Sequence, residues 1–116
     1  MDIIEKKKDG ISIFEVIGRL DSNTSPAFEK RLFDVIEKGS KKVIVDFKDL
    51  DYISSAGLRV ILKAAKTLRG TEDVFILCSL KDYVKEVFEI SGFDAYLPIT
   101  STIDEALSRT QDEVAV

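Results

Sequence analysis

A short apolar run, a pair of serines and an amphipathic helix follow one another in the middle of the chain, and this order constrains the fold most. Residues 43–47 are rich in β-branched side chains and read as a buried strand. From Leu58 onward, apolar residues recur at helical spacing. A strand followed by a helix is half of a βαβ unit, so this segment predicts a parallel sheet with helices packed on it.

The same alternation extends over the rest of the chain. Residues 3–8 and 11–17 flank Asp9-Gly10, a dipeptide typical of two-residue hairpin turns. Together the patterns predict an α/β fold with a single mixed sheet of about five strands, covered by about four helices. The remaining strands are predicted at residues 74–78 and 95–99, and the helices at residues 25–39 and 57–69, after Ser79 and from about Thr102.

Length and charge limit the class of protein. The 116 residues suit one domain, residues 1–116, and the 45% of hydrophobic residues can supply its core. The net charge of −4 argues against direct contact with nucleic acid. No apolar run approaches the roughly 18 residues of a membrane span. We therefore expect a cytoplasmic protein.

The serine pair at residues 54 and 55 precedes the predicted helix. The first N–H groups of a helix lack internal partners and carry the positive end of its dipole, so a phosphate on either serine would be stabilised there. The simpler interpretation is that a serine at this place only caps the helix, which is the commoner case. Spacing alone does not decide between a modification site and a cap.

Three motifs occur in a characteristic order along this chain. They are G-R-L-D-S-N-T at residues 18–24, the turn S-S-A-G-L at residues 54–58 and I-S-G-F at residues 90–93. In this combination the chain resembles the bacterial anti-anti-sigma factors, or anti-sigma factor antagonists, which are small stand-alone STAS domains. The resemblance covers nearly the whole sequence and implies the STAS fold.

The resemblance also implies a phosphorylation site. The family pattern at the turn is usually D-S-[S/T]-G-L, and its first serine accepts the phosphate. Counted back from Gly57, the acceptor position falls on Ser55. Ser54 stands where the family has an aspartate, and Ala56 stands where it has a second hydroxyl residue. Because of this departure, Ser54 remains the alternative acceptor.

A partner surface around the turn is a further implication of the resemblance. Without it, residues 21–23 read as turn or cap residues, and Arg59 and Lys63 read as solubilising charges. The small side chains after the serines would let a partner approach the backbone closely. The partner-binding residues predicted in this way are Asp21, Ser22, Asn23, Ser54, Ala56, Gly57, Arg59 and Lys63.

The family mechanism is partner switching. The unphosphorylated protein would bind an anti-sigma factor that is also an ATP-dependent serine kinase, and the sigma factor would be released. Phosphorylation by that kinase would end the complex, and a metal-dependent serine phosphatase would restore it. We expect a monomer when the protein is free. The alternative is a non-phosphorylated STAS adaptor subunit of a transporter or another regulatory complex.

The sequence contains few residues that could make the protein an enzyme. There is no histidine to activate a serine or Cys78, and the remaining base for a serine would be Lys63 or Lys66 on an outward helical face. Residues 39–42, Gly-Ser-Lys-Lys, lack the upstream glycine of a P-loop. We expect neither an enzyme nor a cofactor or metal site, and we expect Cys78 to be a buried hydrophobe.

Overall fold

Six strands form one mixed sheet in the computed structural model, which describes the backbone of residues 1–115 and the side chains of residues 1–110. The first strand pairs antiparallel with the second, and all other pairings are parallel. The fold class predicted from the sequence is therefore confirmed. The strands are β1 (Asp2–Lys8), β2 (Ile11–Leu20), β3 (Lys42–Asp46), β4 (Leu50–Ile53), β5 (Val74–Cys78) and β6 (Ile99–Thr100).

Four α-helices connect or follow these strands, and a 3₁₀ turn lies at Phe93–Ala95. Proline at position 26 suits the start of the first helix, and Gly92 ends the third in a left-handed conformation at φ 76°. Within residues 1–115, no helix combines the length and hydropathy needed to cross a membrane. The helices are α1 (Ser25–Glu37), α2 (Ser55–Thr67), α3 (Asp82–Ser91) and α4 (Ile103–Ala115).

The predicted hairpin is confirmed. Asp9 and Gly10 both adopt positive φ, at 51° and 81°, as the central residues of a type I′ turn require. The turn sets Lys8 opposite Ile11. The second strand continues to Leu20, three residues beyond the predicted end at Ile17, and this extension carries the chain to the candidate site.

The sheet order is β1-β2-β3-β5-β6, with β4 paired to the last three residues of β2. Strand β4 was not predicted, because Asp49 and Asp51 read as turn residues after a strand end. Its short sequence buries only Leu50 and Ile53 and exposes the two residues between them. Pairing with β2 makes it a strand, and a single sequence shows no partner for it.

The last predicted strand is misplaced. Residues 95–99 were expected to form it, whereas the chain makes the 3₁₀ turn first and pairs with β5 only at Ile99 and Thr100. Leu97 is buried without lying in a strand, so its apolar side chain reflects core packing and not sheet pairing.

Alternate residues of the strands feed two cores on opposite faces of the sheet. Phe14 and Val16 of β2 belong to the larger core, whereas Ile11 and Ile13 belong to the smaller one. Helices α1, α2 and α3 cover the larger core, and α4 covers the smaller one. Cys78 is fully buried in the smaller core, and burial raises the pKa of its thiol to about 12. The expected role as a buried hydrophobe is confirmed.

Helix α2 lies closest to the sheet at Gly57. A β-carbon at this residue would sit 2.9 Å from Cγ1 of Ile53, 2.9 Å from Cγ of Leu20 and 3.0 Å from the Leu20 carbonyl oxygen. Real β-carbons essentially never approach other heavy atoms within 3.0 Å. The absence of a side chain at Gly57 therefore sets the distance between α2 and the ends of β2 and β4.

We expect Gly57→Ala to lower the free energy of unfolding by about 1–3 kcal/mol, because the added methyl group must displace Leu20 or Ile53. The loss would occur although alanine is the better helix former by about 1 kcal/mol. Urea unfolding measures the difference. The control is Ala56→Gly at the adjacent half-exposed position. It should lower the free energy of unfolding by no more than the difference in helix propensity between alanine and glycine. A Gly57→Ala protein as stable as the parent would contradict this packing account.

Candidate functional site

Two turns leave the sheet side by side at one end. Leu20 pairs with Ile53 in the parallel β2–β4 ladder, and the Ser54 N–H donates to the Leu20 carbonyl at 2.9 Å. Asp21 follows the first strand and the serine pair follows the second. The serine turn thus lies at the carboxyl end of a strand, where open α/β sheets usually carry their sites. The strand before it is β4, and not β3 as the sequence suggested.

The two serines differ in structural role. Ser54 is the N-cap of α2, half-buried, with extended backbone, and its Oγ accepts from the Gly57 N–H at 3.4 Å. Ser55 is the first helical residue and its side chain is exposed. The helix therefore begins at Ser55, two residues before its predicted start. The capping interpretation holds for Ser54 and leaves the hydroxyl of Ser55 accessible.

The start of α2 suits an added negative charge. Its first turn contains no acidic residue. The N–H groups of Ser55 and Ala56 have no carbonyl acceptor within the helix, because the residues four positions before them lie outside it. Arg59 is exposed four residues after Ser55, which places it on the same helical face one turn away. A phosphate on Ser55 would meet both the helix dipole and this guanidinium.

Asp21 holds the neighbouring turn together. Its Oδ1 accepts from the backbone N–H groups of Asn23 and Thr24 at 2.9 and 3.1 Å, and its own N–H donates to Thr24 Oγ1 at 2.9 Å. Burial alone would raise the pKa of the Asp21 carboxyl, but the hydrogen bonds from Thr24 and Asn23 outweigh it, and the pKa lies below its ordinary value. The turn-residue interpretation of Asp21 thus has direct structural support.

Arg19 of β2 contacts both the first turn and strand β4, and it was not selected from the sequence. Its guanidinium carbon lies 4.2 Å from the centre of the Tyr52 ring, and its Nε lies 3.7 Å from Oδ2 of Asp21. Arg19 lies opposite Tyr52 because β2 pairs with β4. Since β4 was not predicted from the sequence, this contact could not be predicted either. Ser22 and Asn23 are exposed at the tip of the first turn.

A groove of about 520 Å³ runs between α1 and α2 beside the serine turn. Lys63 lies in it but is held by Glu29 of α1 at 2.8 Å, with its Nζ 4.9 Å from the Phe33 ring. Arg59 also lines the groove, and within residues 1–110 it forms no ion pair. Of the two predicted cations, Arg59 is the one that has no ion pair among residues 1–110.

Ser25 and Gly57 lie beneath this surface. Ser25 is one of the groove residues, and its buried hydroxyl has no hydrogen-bond partner among the described side chains and backbone. Gly57 is buried against Leu20, so its missing side chain is required by internal packing. Ala56, which is half-exposed, is the small residue at the surface of the turn.

Comparison with protein families assigns the fold to one of them. The STAS domain model matches residues 2–106. The chain belongs to the STAS domain family. The match includes both turns and every strand of the sheet.

Similar proteins share this STAS domain over most of their length. The chain is 42% identical over 106 residues to BtrV of Bordetella bronchiseptica, named as a candidate anti-sigma factor antagonist, and covers 91% of each chain. It is 30% identical over 105 residues to the anti-sigma-B factor antagonist of Listeria monocytogenes, covering 90% of this chain and 91% of the relative.

A solved structure agrees with these relatives. The crystal structure of a candidate anti-sigma factor antagonist from Thermotoga maritima superposes with a TM-score of 0.89 at 26% identity, covering 94% of both chains. The likeness extends over nearly the whole STAS domain.

We expect Asp21→Ala to lower the melting temperature of this STAS domain at pH 7, because two backbone N–H groups lose their acceptor. The folded-state pKa of Asp21 lies below the unfolded value of about 3.9, so the carboxylate stabilises the fold above that value. This contribution is lost as the pH falls through the folded-state pKa. The difference between parent and variant should therefore shrink below about pH 4.

Asp21→Asn is the matched control, because its side-chain oxygen can still accept from both N–H groups while it carries no charge. We expect it to melt between the parent and Asp21→Ala at pH 7. Thermal melts followed by circular dichroism from pH 3 to pH 7 measure all three proteins. An alanine variant that melts with the parent at pH 7 would show that the turn does not need the carboxylate.

Proposed function

We propose that this STAS domain is an anti-sigma factor antagonist that is switched by phosphorylation of Ser55. Relatives named as such antagonists, matched over nine-tenths of the chain, support the antagonist function. The observation that carries the switch is the position of Ser55, exposed at the first residue of α2 while Ser54 serves as the cap. The protein acts as a regulator and as the substrate of a kinase, and not as an enzyme.

In the unphosphorylated state, the surface around Ser55 binds an anti-sigma factor that is also a serine kinase. Ser22 and Asn23 at the tip of the first turn and Ala56 and Arg59 on α2 are exposed or half-exposed beside the acceptor. The small Ala56 permits close approach, and Arg59, which has no ion pair among residues 1–110, offers a charged contact. Occupation of this surface would displace the sigma factor.

Phosphorylation changes the surface and leaves the fold intact. The Ser55 Oγ attacks the γ-phosphorus of ATP bound to the kinase, ADP leaves, and the serine proton passes to the kinase or solvent. The phosphoserine adds about −1.5 to −2 charges. The N-terminus of α2 and Arg59 stabilise that charge within the domain, whereas a close-packed partner meets new bulk and desolvation cost. A serine phosphatase reverses the step.

The free protein is proposed to be a cytoplasmic monomer. Strand β1 forms one edge of the sheet, and its C-terminal half carries the exposed Lys6, Lys7 and Lys8. Lys6 pairs across the hairpin with Glu15 at 3.1 Å. Charged edge residues of this kind oppose pairing with the edge of a second copy.

We expect Ser55→Ala to bind the anti-sigma factor but to take up no phosphate from it. Ser55→Asp should weaken binding about tenfold or more, because a fixed negative charge enters the contact. Titration calorimetry with the anti-sigma factor measures binding, and phosphate uptake from labelled ATP measures the modification.

Ser54→Ala is the matched control. It should lose about 0.5–2 kcal/mol of stability with the helix cap and still accept phosphate on Ser55. Phosphate uptake by Ser55→Ala but not by Ser54→Ala would move the acceptor to Ser54. Binding without uptake by any of the proteins, with an active kinase present, would favour the constitutive adaptor.

A further inference from the structure

An open cleft of about 360 Å³ lies along α2, farther from the serine turn than the α1–α2 groove. One wall is the end of α2 and the other is the 3₁₀ turn that follows α3. We call it the aromatic cleft. Its lining residues are Leu62, Ala65, Lys66, Arg69, Phe93 and Tyr96.

Helical periodicity builds both walls of the aromatic cleft. Leu62, Ala65 and Lys66 are spaced three and four residues apart, which places them on one face of α2. Phe93 and Tyr96 are three residues apart, the period of the 3₁₀ turn, so both aromatic rings lie on one side. Phe93 packs partly on the main core, whereas Tyr96 is 74% exposed. The Tyr96 ring is therefore exposed at the rim of the cleft.

The charge at this rim is positive in an otherwise acidic protein. Helix α2 contains three basic residues and no acidic one, and Arg69 follows it, although the whole chain carries a net charge of −4. Lys63 is paired with Glu29. Lys66 and Arg69, by contrast, form no ion pair with any side chain in residues 1–110. The cleft thus joins an apolar floor to two cations that have no ion pair among residues 1–110.

We propose that the aromatic cleft docks an acidic amphipathic helix of a protein partner. An aliphatic or aromatic anchor of that helix packs between α2 and Tyr96, and its carboxylates face Lys66 and Arg69. Both walls are helical surfaces without a strand edge, so a helix fits better than an added strand. Two cations on a chain of net charge −4 are too few for the basic footprint of a nucleic-acid site.

Docking at the aromatic cleft is independent of the state of Ser55. Lys66 lies eleven residues after Ser55 on the same helix, which is about 16 Å at the helical rise. That distance exceeds the Debye length of about 8 Å at physiological ionic strength. The cleft shares Leu62 and Lys66 with the α1–α2 groove, so a partner larger than one helix can span both, and only such a partner would also respond to the state of Ser55. Only this last link rests on the proposed function.

The test is a titration of the ¹⁵N-labelled full chain with two synthetic helical peptides, followed by NMR. One peptide carries leucine at helical spacing flanked by glutamate, and the other replaces each glutamate by lysine. We expect the acidic peptide to shift the amide signals of Ala65, Lys66, Phe93 and Tyr96, and the basic peptide to bind at least tenfold more weakly.

Variants assign the binding to the cleft. Tyr96→Ala and the double change Lys66→Glu with Arg69→Glu should each weaken the acidic peptide about tenfold. Lys30→Glu, a charge change on an exposed lysine of α1, should not weaken it to that extent. Ser55→Asp should leave its affinity unchanged, which separates this result from any failure of the phosphorylation switch.

Three outcomes would overturn the proposal. They are absence of shifts in the cleft at millimolar acidic peptide, equal binding of the basic peptide, and shifts at the cleft from a single-stranded oligonucleotide but not from the acidic peptide. Circular dichroism of each variant confirms that a lost interaction does not reflect unfolding.

Discussion

The contact between the end of β2 and the start of α2 determines the geometry of everything around the serine turn. The Leu20 carbonyl accepts the Ser54 N–H at 2.9 Å, and Cγ of Leu20 lies only 2.9 Å from the place that a β-carbon on Gly57 would occupy. The short strand β4 connects these two points by pairing with β2. Because both the backbone and the side chain of Leu20 contact the start of α2, the position of the serine turn relative to the sheet is tightly specified.

The two serines next to that contact have different structural roles. Ser54 lies between the strand and the helix, and its hydroxyl is used for capping. Ser55 follows on the outer side, beside the turn held by Asp21 and one helical turn before Arg59. Under the proposed switch, a phosphate on Ser55 would alter the surface and leave the contact beneath it in place. The site thus combines a rigid base with a chemically accessible hydroxyl, as a switch that acts by altering a surface requires.

Much of the fold could be predicted because local signals agreed with the tertiary structure. The hairpin at Asp9-Gly10, the helix start at Pro26 and the strand at Val74–Cys78 carry strong turn, cap or apolar patterns. Strand β4 was missed because its stability comes from pairing with a distant segment. The strand expected at residues 95–99 was wrong because Leu97 is buried by packing alone. Sequence patterns report burial more directly than pairing.

The candidate site was found mainly through motifs, and its internal geometry was not. A cap by one serine of the pair followed from residue type, but which serine caps and which is exposed depended on a helix start that the sequence placed two residues late. The Arg19–Tyr52 contact and the Lys63–Glu29 pair depend on strand register and helix packing. Such contacts join residues far apart in the chain, and one sequence carries no record of them.

The most direct test of the central claim is to locate the phosphate on the parent protein after incubation with ATP and its anti-sigma factor kinase. Trypsin releases the peptide of residues 49–59, which contains both serines, and fragmentation in a mass spectrometer distinguishes them. The proposed switch predicts phosphate on Ser55, the exposed first residue of α2. Phosphate on Ser54 alone would contradict Ser55 as the acceptor, and an unmodified peptide beside an active kinase would contradict the switch itself.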